Sequence, residues 1–379
     1  MHSMGFNRRR FLRLLAASGG TVMLGHALTG CDLGSGRSKA KPLTISNWPL
    51  FIDVDQAGSV GTVKRFEQAT GLKVVYREDL NDPDSFFSRI RIPLAMGQPL
   101  EQDILIIPNW LASRLIRLGW LDKLPLAKIP NASNLEVSLR RPLWDPTEQY
   151  TLPWMVGVTG IAYNVKATGG ELSSVDDLFA KSLHGRVSFL SLWRDTLGLM
   201  MLADGKDIAS PTFEDAQPAL QRLKQAKASG HIRSFTGNDY QKDLLVGNLA
   251  ACVAWAGDVA QLLSENPDLR FVVPETGGVL TADVMVIPRD VDAVEQAAAW
   301  MNYVYEPTNA AKIIASTHFI CPVKGVRQVL AASPATAELI NDPLMFPNAA
   351  MGKRLHMLGA FSDRDEVAIE KEFSLLTAS

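Results

Sequence analysis

The sequence predicts an α/β fold arranged as two lobes around a ligand cleft. Strand-length apolar runs alternate with helical periodicity from residue 42 onward, the rhythm of strands joined by crossover helices. An irregular stretch at 124–150 interrupts that rhythm, which then resumes. Extended segments at 150–154, 160–164 and 282–288 stand outside it and read as passages between the lobes. A chain of 379 residues suits about two domains rather than one small core.

The N-terminus reads as an export leader. Arg8-Arg9-Arg10-Phe11-Leu12-Arg13 is basic, and the apolar stretch 14–28 after it is broken by Ser18, Gly19, Gly20, Thr21 and His26. That stretch is too short and too interrupted for a stable membrane span. The arginine motif resembles twin-arginine export signals, and Leu28-Thr29-Gly30-Cys31 resembles a bacterial lipobox. The resemblance implies cleavage before Cys31, lipidation of that cysteine, and a body outside the cytoplasmic membrane. Residues 31–41 would be a Gly-, Ser- and Lys-containing tether. Cys252 and Cys321 are read as free thiols, since Cys252 lies in an apolar run.

Composition excludes some functions. Residues 1–30 hold four arginines and no acid, so the remainder has 34 basic against 40 acidic residues, a net charge of −6. This is not the charge of a nucleic-acid binder. His184, His231, His318 and His356 are scattered without metal-ligand spacing. No nucleophile elbow, P-loop or dinucleotide fingerprint occurs, and no nucleophile sits with a base. Neither an enzyme nor a metal or other cofactor is expected.

The elements follow in order. Strands are predicted at 43–48, 72–76 and 103–107, the last an Ile-Leu-Ile-Ile run suited to burial on both faces. Helices are predicted at 58–70, closed by Gly71, at 84–96 with an interruption near Pro93, and at 110–118, closed by Gly119. Beyond the irregular stretch come strand 187–191, helices near 195–203 and 214–229, and strands 250–255 and 271–274. Helix 291–305 and further helical segments run to the C-terminus. A largely parallel sheet follows from this alternation.

Aromatic residues and single acids recur at the predicted strand ends: Trp48 and Phe51, then Trp110, Trp193 with Asp195, Trp255 with Asp258, and later Asp283 and Phe319. Strand ends converge in an open α/β sheet, where ligands collect. Rings and carboxylates together suit an organic cation. Two of the acids have a structural alternative. Asp258 and Gln261 have capping-box spacing, and Asp195 could equally cap a helix.

Asn47-Trp48-Pro49-Leu50-Phe51, Asp103 to Pro108, Tyr150-Thr151-Leu152-Pro153, Gly160 to Asn164, Trp255-Ala256-Gly257-Asp258, Gly277-Gly278 through Asp283, and Phe319-Ile320-Cys321-Pro322 occur in that order. Together they resemble the spermidine/putrescine-binding proteins of bacterial ABC transporters. The resemblance implies a type II, Venus-flytrap fold of the periplasmic-binding-protein kind. It also implies a polyamine ligand, permease and ATPase partners, and a monomer. Trp255 and Trp48 would be box walls, Asp258 and Asp283 would pair with ammonium groups, Phe319 would replace a family tyrosine, and Asp195 matches a family acid. A family acid and hydroxyl are missing at Pro49-Leu50, and another family Asp falls on Leu192. Asp53, Glu78, Asp79 and Asp82 are candidate substitutes. The expected lobes are 42–153 with about 284–335, and 154–283 with about 336–379. A sugar or anion binder is the alternative.

Overall fold

A computed structural model of the protein describes residues 41–378 apart from 57 and 264. The leader, the lipobox cysteine Cys31 and most of the tether lie outside the described residues.

The strands are β1 (Leu43–Asn47), β2 (Val74–Glu78), β3 (Ile104–Pro108), β4 (Leu121–Asp122), β5 (Leu152–Asn164), β6 (Val187–Leu190), β7 (Ile232–Thr236), β8 (Ala251–Trp255), β9 (Leu269–Val272), β10 (Gly278–Pro288) and β11 (Leu355–Met357). They form one mixed sheet whose main path is β2-β1-β3-β10-β5-β8-β6-β7. The β1–β2, β1–β3, β6–β7 and β6–β8 pairs are parallel, and each half grows from such units. The long strands β5 and β10 lie antiparallel to each other and to β8 and β3, and they carry the sheet from one half to the other.

Three expectations need correction here. The segments at 150–154 and 160–164 are one continuous strand, β5, buried over nearly its whole length. The sheet is mixed, because the crossing strands run against their neighbours. The helix Pro83–Ala95 passes through Pro93 without a break.

Side chains sort onto separate cores. In β3, Ile104 and Ile106 pack into one core while Leu105 and Ile107 pack into another, the alternation of a strand covered on both faces. These cores draw on residues from 43 to 156 and again from 282 to 345. A separate core runs from Ile161 to Val279 and takes in Phe361, Ile369, Phe373 and Leu376. The chain therefore has two lobes, with β5 and β10 between them. The stretch after residue 336 divides. Leu339, Ile340, Met345 and Phe346 pack on the first lobe, and the helix Asp363–Thr377 packs on the second. Among the described residues no helix is long and apolar enough to cross a membrane. Cys252 and Cys321 are buried free thiols.

Candidate ligand-binding site

The site grows from the strand ends. β1 ends at Asn47, whose Oδ1 accepts from the Trp48 backbone N–H at 2.8 Å. The Trp48 indole N–H donates to Asp283 Oδ1 at 3.0 Å. Asp283 lies in β10 at a register shift between it and Val284, where the pairing with β5 changes. Such irregularities re-aim a side chain. The Phe51 ring lies tilted against Phe319 with centroids 4.7 Å apart, and against Trp48 at 6.1 Å.

From the other lobe, β8 ends at Trp255 and passes directly into the helix Ala256–Leu262. The capping position is Trp255, with no side-chain cap bond, so Asp258 does not cap this helix. Its Oδ2 instead accepts from the Tyr240 hydroxyl at 2.8 Å, and that hydroxyl accepts the Trp255 backbone N–H at 3.2 Å. Asp195 likewise sits in the first turn of the helix Trp193–Ala203, whose capping position is Leu192. Its Oδ1 collects Thr159 Oγ1 at 2.5 Å, Thr281 Oγ1 at 3.3 Å and the Trp255 indole N–H at 3.4 Å.

These residues line a cleft of about 470 Å³, a volume that includes open solvent. Seven of the eight residues singled out from the sequence line it: Trp48, Phe51, Asp195, Trp255, Asp258, Asp283 and Phe319. Trp110 does not. It lines a neighbouring compartment that shares Asp195 and Thr281 with the first. The reason lies in register, since Trp110 follows Asn109 into the helix Asn109–Arg117, while Pro108 at the end of β3 is the cavity wall.

Asn238 and Thr281 also line the cavity, and neither was singled out. Thr281 was legible, because it stands two residues before Asp283 on the same face of one strand. Asn238 follows β7, whose sequence Ile-Arg-Ser-Phe-Thr carries little strand signal. Leu192 lines the cavity as an apolar residue where the resemblance implied an acid. Asp53, Glu78, Asp79 and Asp82 do not line it. Asp53 is held by Arg65 at 2.9 Å and by Thr62, and Asp82 caps the helix Pro83–Ala95.

One glycine lets Phe319 reach the site. A Cβ on Gly257 would come within 2.4 Å of its ring, whereas one on Gly157 would make an ordinary contact at 3.5 Å. The glycine in Trp-Ala-Gly-Asp is thus a packing requirement of Phe319.

The electrostatics point one way. Asp195, Asp258 and Asp283 are all buried, and no Lys, Arg or His lines the cavity with them. Burial pushes the Asp283 carboxyl up to about 8, against the Trp48 hydrogen bond that lowers it, and the Asp195 charge adds to the rise. Burial pushes Asp258 up to about 6, opposed by Tyr240 and Gln241. Asp195 is also raised by burial, against its three donors. An isolated buried carboxylate costs several kcal/mol, so an entering cation would relieve all three. Among the described residues no group of three or more His, Cys, Asp or Glu could hold a metal ion.

The sequence model of the bacterial extracellular solute-binding protein family matches residues 61–347. The chain belongs to this family. Among relatives of this solute-binding protein is the putrescine-binding periplasmic protein PotF of Escherichia coli (strain K12), 29% identical over 353 residues, which cover 88% of this chain and 90% of that one. Another is the putrescine-binding periplasmic protein SpuD of Pseudomonas aeruginosa (strain UCBPP-PA14), 28% identical, with 89% of this chain and 92% of that one covered. The fold is that of the spermidine/putrescine ABC transporter substrate-binding protein PotD from Streptococcus pneumoniae. That structure superposes with a TM-score of 0.73 at 22% identity, over 89% of this chain and 99% of that one.

Proposed function

We propose that this solute-binding protein captures polyamines in the cavity between its lobes and delivers them to an ABC importer. The observation that carries the ligand class is the cavity's charge: three buried carboxylates, four aromatic rings and no basic residue. A polyamine is an apolar chain bearing ammonium groups. Its nitrogens would pair with Asp258, Asp283 and Asp195, while Trp48, Phe51, Trp255 and Phe319 cover its methylenes. Each ring facing an ammonium would add about 0.5–2 kcal/mol once water is excluded. The names of the putrescine-binding relatives support the same ligand class. An anion would meet three carboxylates and is disfavoured.

Delivery by lobe closure needs a permease and an ATPase as partners, and the protein would act as a monomer. The twin-arginine leader and Leu28-Thr29-Gly30-Cys31 support export and a lipid anchor on Cys31. The first lobe is proposed to comprise 42–153 and about 284–346, carried past 335 by the packing of Met345 and Phe346, and the second 154–283 and about 347–379.

Protein purified without denaturation and extracted for mass spectrometry tests the ligand class. A di- or triamine in stoichiometric amount is the expected result, and a sugar or oxyanion in its place overturns the reading. For the anchor, Cys31→Ala is expected to move the protein from the membrane to the soluble fraction, and retention on the membrane contradicts it.

A further inference from the structure

The compartment beyond Asp195 adjoins the cavity and shares Asp195 and Thr281 with it, so the chemistry of its walls bears on any longer ligand. Its aromatic face and its second carboxylate are already engaged by the protein itself. The Arg194 guanidinium lies 3.6 Å from the Trp110 ring centroid and 4.0 Å from that of Trp193. It also donates to Glu366 Oε1, while Glu366 Oε2 accepts from Arg114 at 2.9 Å. Glu370 stands 3.7 Å from Arg114 and 3.9 Å from Arg194. Arg194 itself is buried.

We propose that Arg194 is an internal cation occupying the ring-and-carboxylate cage that a third ammonium would need, and that it thereby restricts the cleft to diamines. The inference rests on the polyamine reading above. A diamine ends at Asp195, the carboxylate shared by both compartments. A triamine would have to push its outer nitrogen past Asp195 toward a guanidinium, where Glu366 is committed to two arginines. Its desolvation would go uncompensated, and the Trp110 face that could attract it is covered.

The test is the ratio of spermidine to putrescine dissociation constants, read by tryptophan fluorescence titration. Wild-type protein is expected to favour putrescine. Arg194→Gln removes the nearer of the two guanidinium groups over Trp110, leaving Arg114 at 6.0 Å, and frees one Glu366 oxygen, and the ratio is expected to shift toward spermidine by about tenfold, the size of one desolvated cation–π contact. Arg114→Gln, at a more exposed position that lines neither compartment, frees the other Glu366 oxygen and is expected to shift the ratio the same way by a smaller factor. It keeps the proposal testable should Arg194→Gln not fold. Wild type binding both amines equally, or folded variants with an unchanged ratio, overturns the role of Arg194 and leaves the polyamine reading standing. Wild type binding neither amine overturns that reading, and this inference with it.

Discussion

Asp283 is strongly perturbed by its burial in the cavity. Its carboxyl, pushed up to about 8 by burial, is mostly protonated at neutral pH in the empty protein. A bound ammonium favours the ionised form, so binding must expel the proton. Affinity for putrescine is therefore expected to rise with pH between about 6 and 8, by up to about tenfold per unit for each proton released. Calorimetry in two buffers of different ionisation enthalpy reads this directly, and identical apparent enthalpies would contradict it. The same shift bears on stability. A carboxyl whose folded pKa lies above its unfolded value of about 3.9 stabilises at low pH, and that contribution is lost as pH rises toward about 8. Asp283→Asn keeps an acceptor for Trp48 and removes the charge. The variant is expected to lose about 2–5 kcal/mol of putrescine affinity and to show a flatter fall in urea stability between pH 5 and 9. A variant that binds like wild type removes Asp283 from the site.

Among the elements, the turn from β8 into the helix Ala256–Leu262 does the most positioning. It places Trp255 and Asp258 on the cavity wall and leaves room at Gly257 for the Phe319 ring. Gly257→Ala puts a methyl group into that ring, an overpacking of about 1–3 kcal/mol. It is expected to lower the melting temperature and weaken putrescine binding together, and a thermal shift assay with and without ligand separates the two effects. The parts of this region that the sequence made legible are those with local signals. The apolar run before Trp255 gave the strand, and a ring and an acid after each of several strands gave most of the cavity lining. Asp258 and Asp195 were ambiguous with helix capping because the first turn of a helix and its capping position differ by only a few residues. The structure resolves this through Tyr240 and Thr159, which are distant in sequence or separated by an intervening helix. β5 looked like two segments because glycines and a proline dilute its pattern, while its burial on both faces hides any alternation. Trp110 lines the neighbouring compartment, and an aromatic residue at a strand end has the same local signature whether it faces the cavity or Arg194.

Over the whole molecule, ligand capture links two separately packed lobes. The ion network Arg114–Glu366–Arg194 joins the helix Asn109–Arg117 of the first lobe to the helices Trp193–Ala203 and Asp363–Thr377 of the second. The strands β5 and β10 run the sheet across and carry Gly157, Thr281 and Asp283 into the cavity wall. A ligand that bridges the walls should stabilise the protein by mass action, about 2.7 kcal/mol at a free concentration one hundred times its dissociation constant. A rise in melting temperature that grows with the logarithm of putrescine concentration is the expected outcome, and its absence would mean that the amine does not favour the folded form. The three buried carboxylates are proposed to make this a cation-binding cleft. Isothermal titration of the protein without its leader, with putrescine and with neutral and anionic controls, tests it most directly. Saturable one-to-one binding of putrescine with proton release, and no heat from the controls, is the expected result. Heat from a sugar or an oxyanion and none from any polyamine would contradict it.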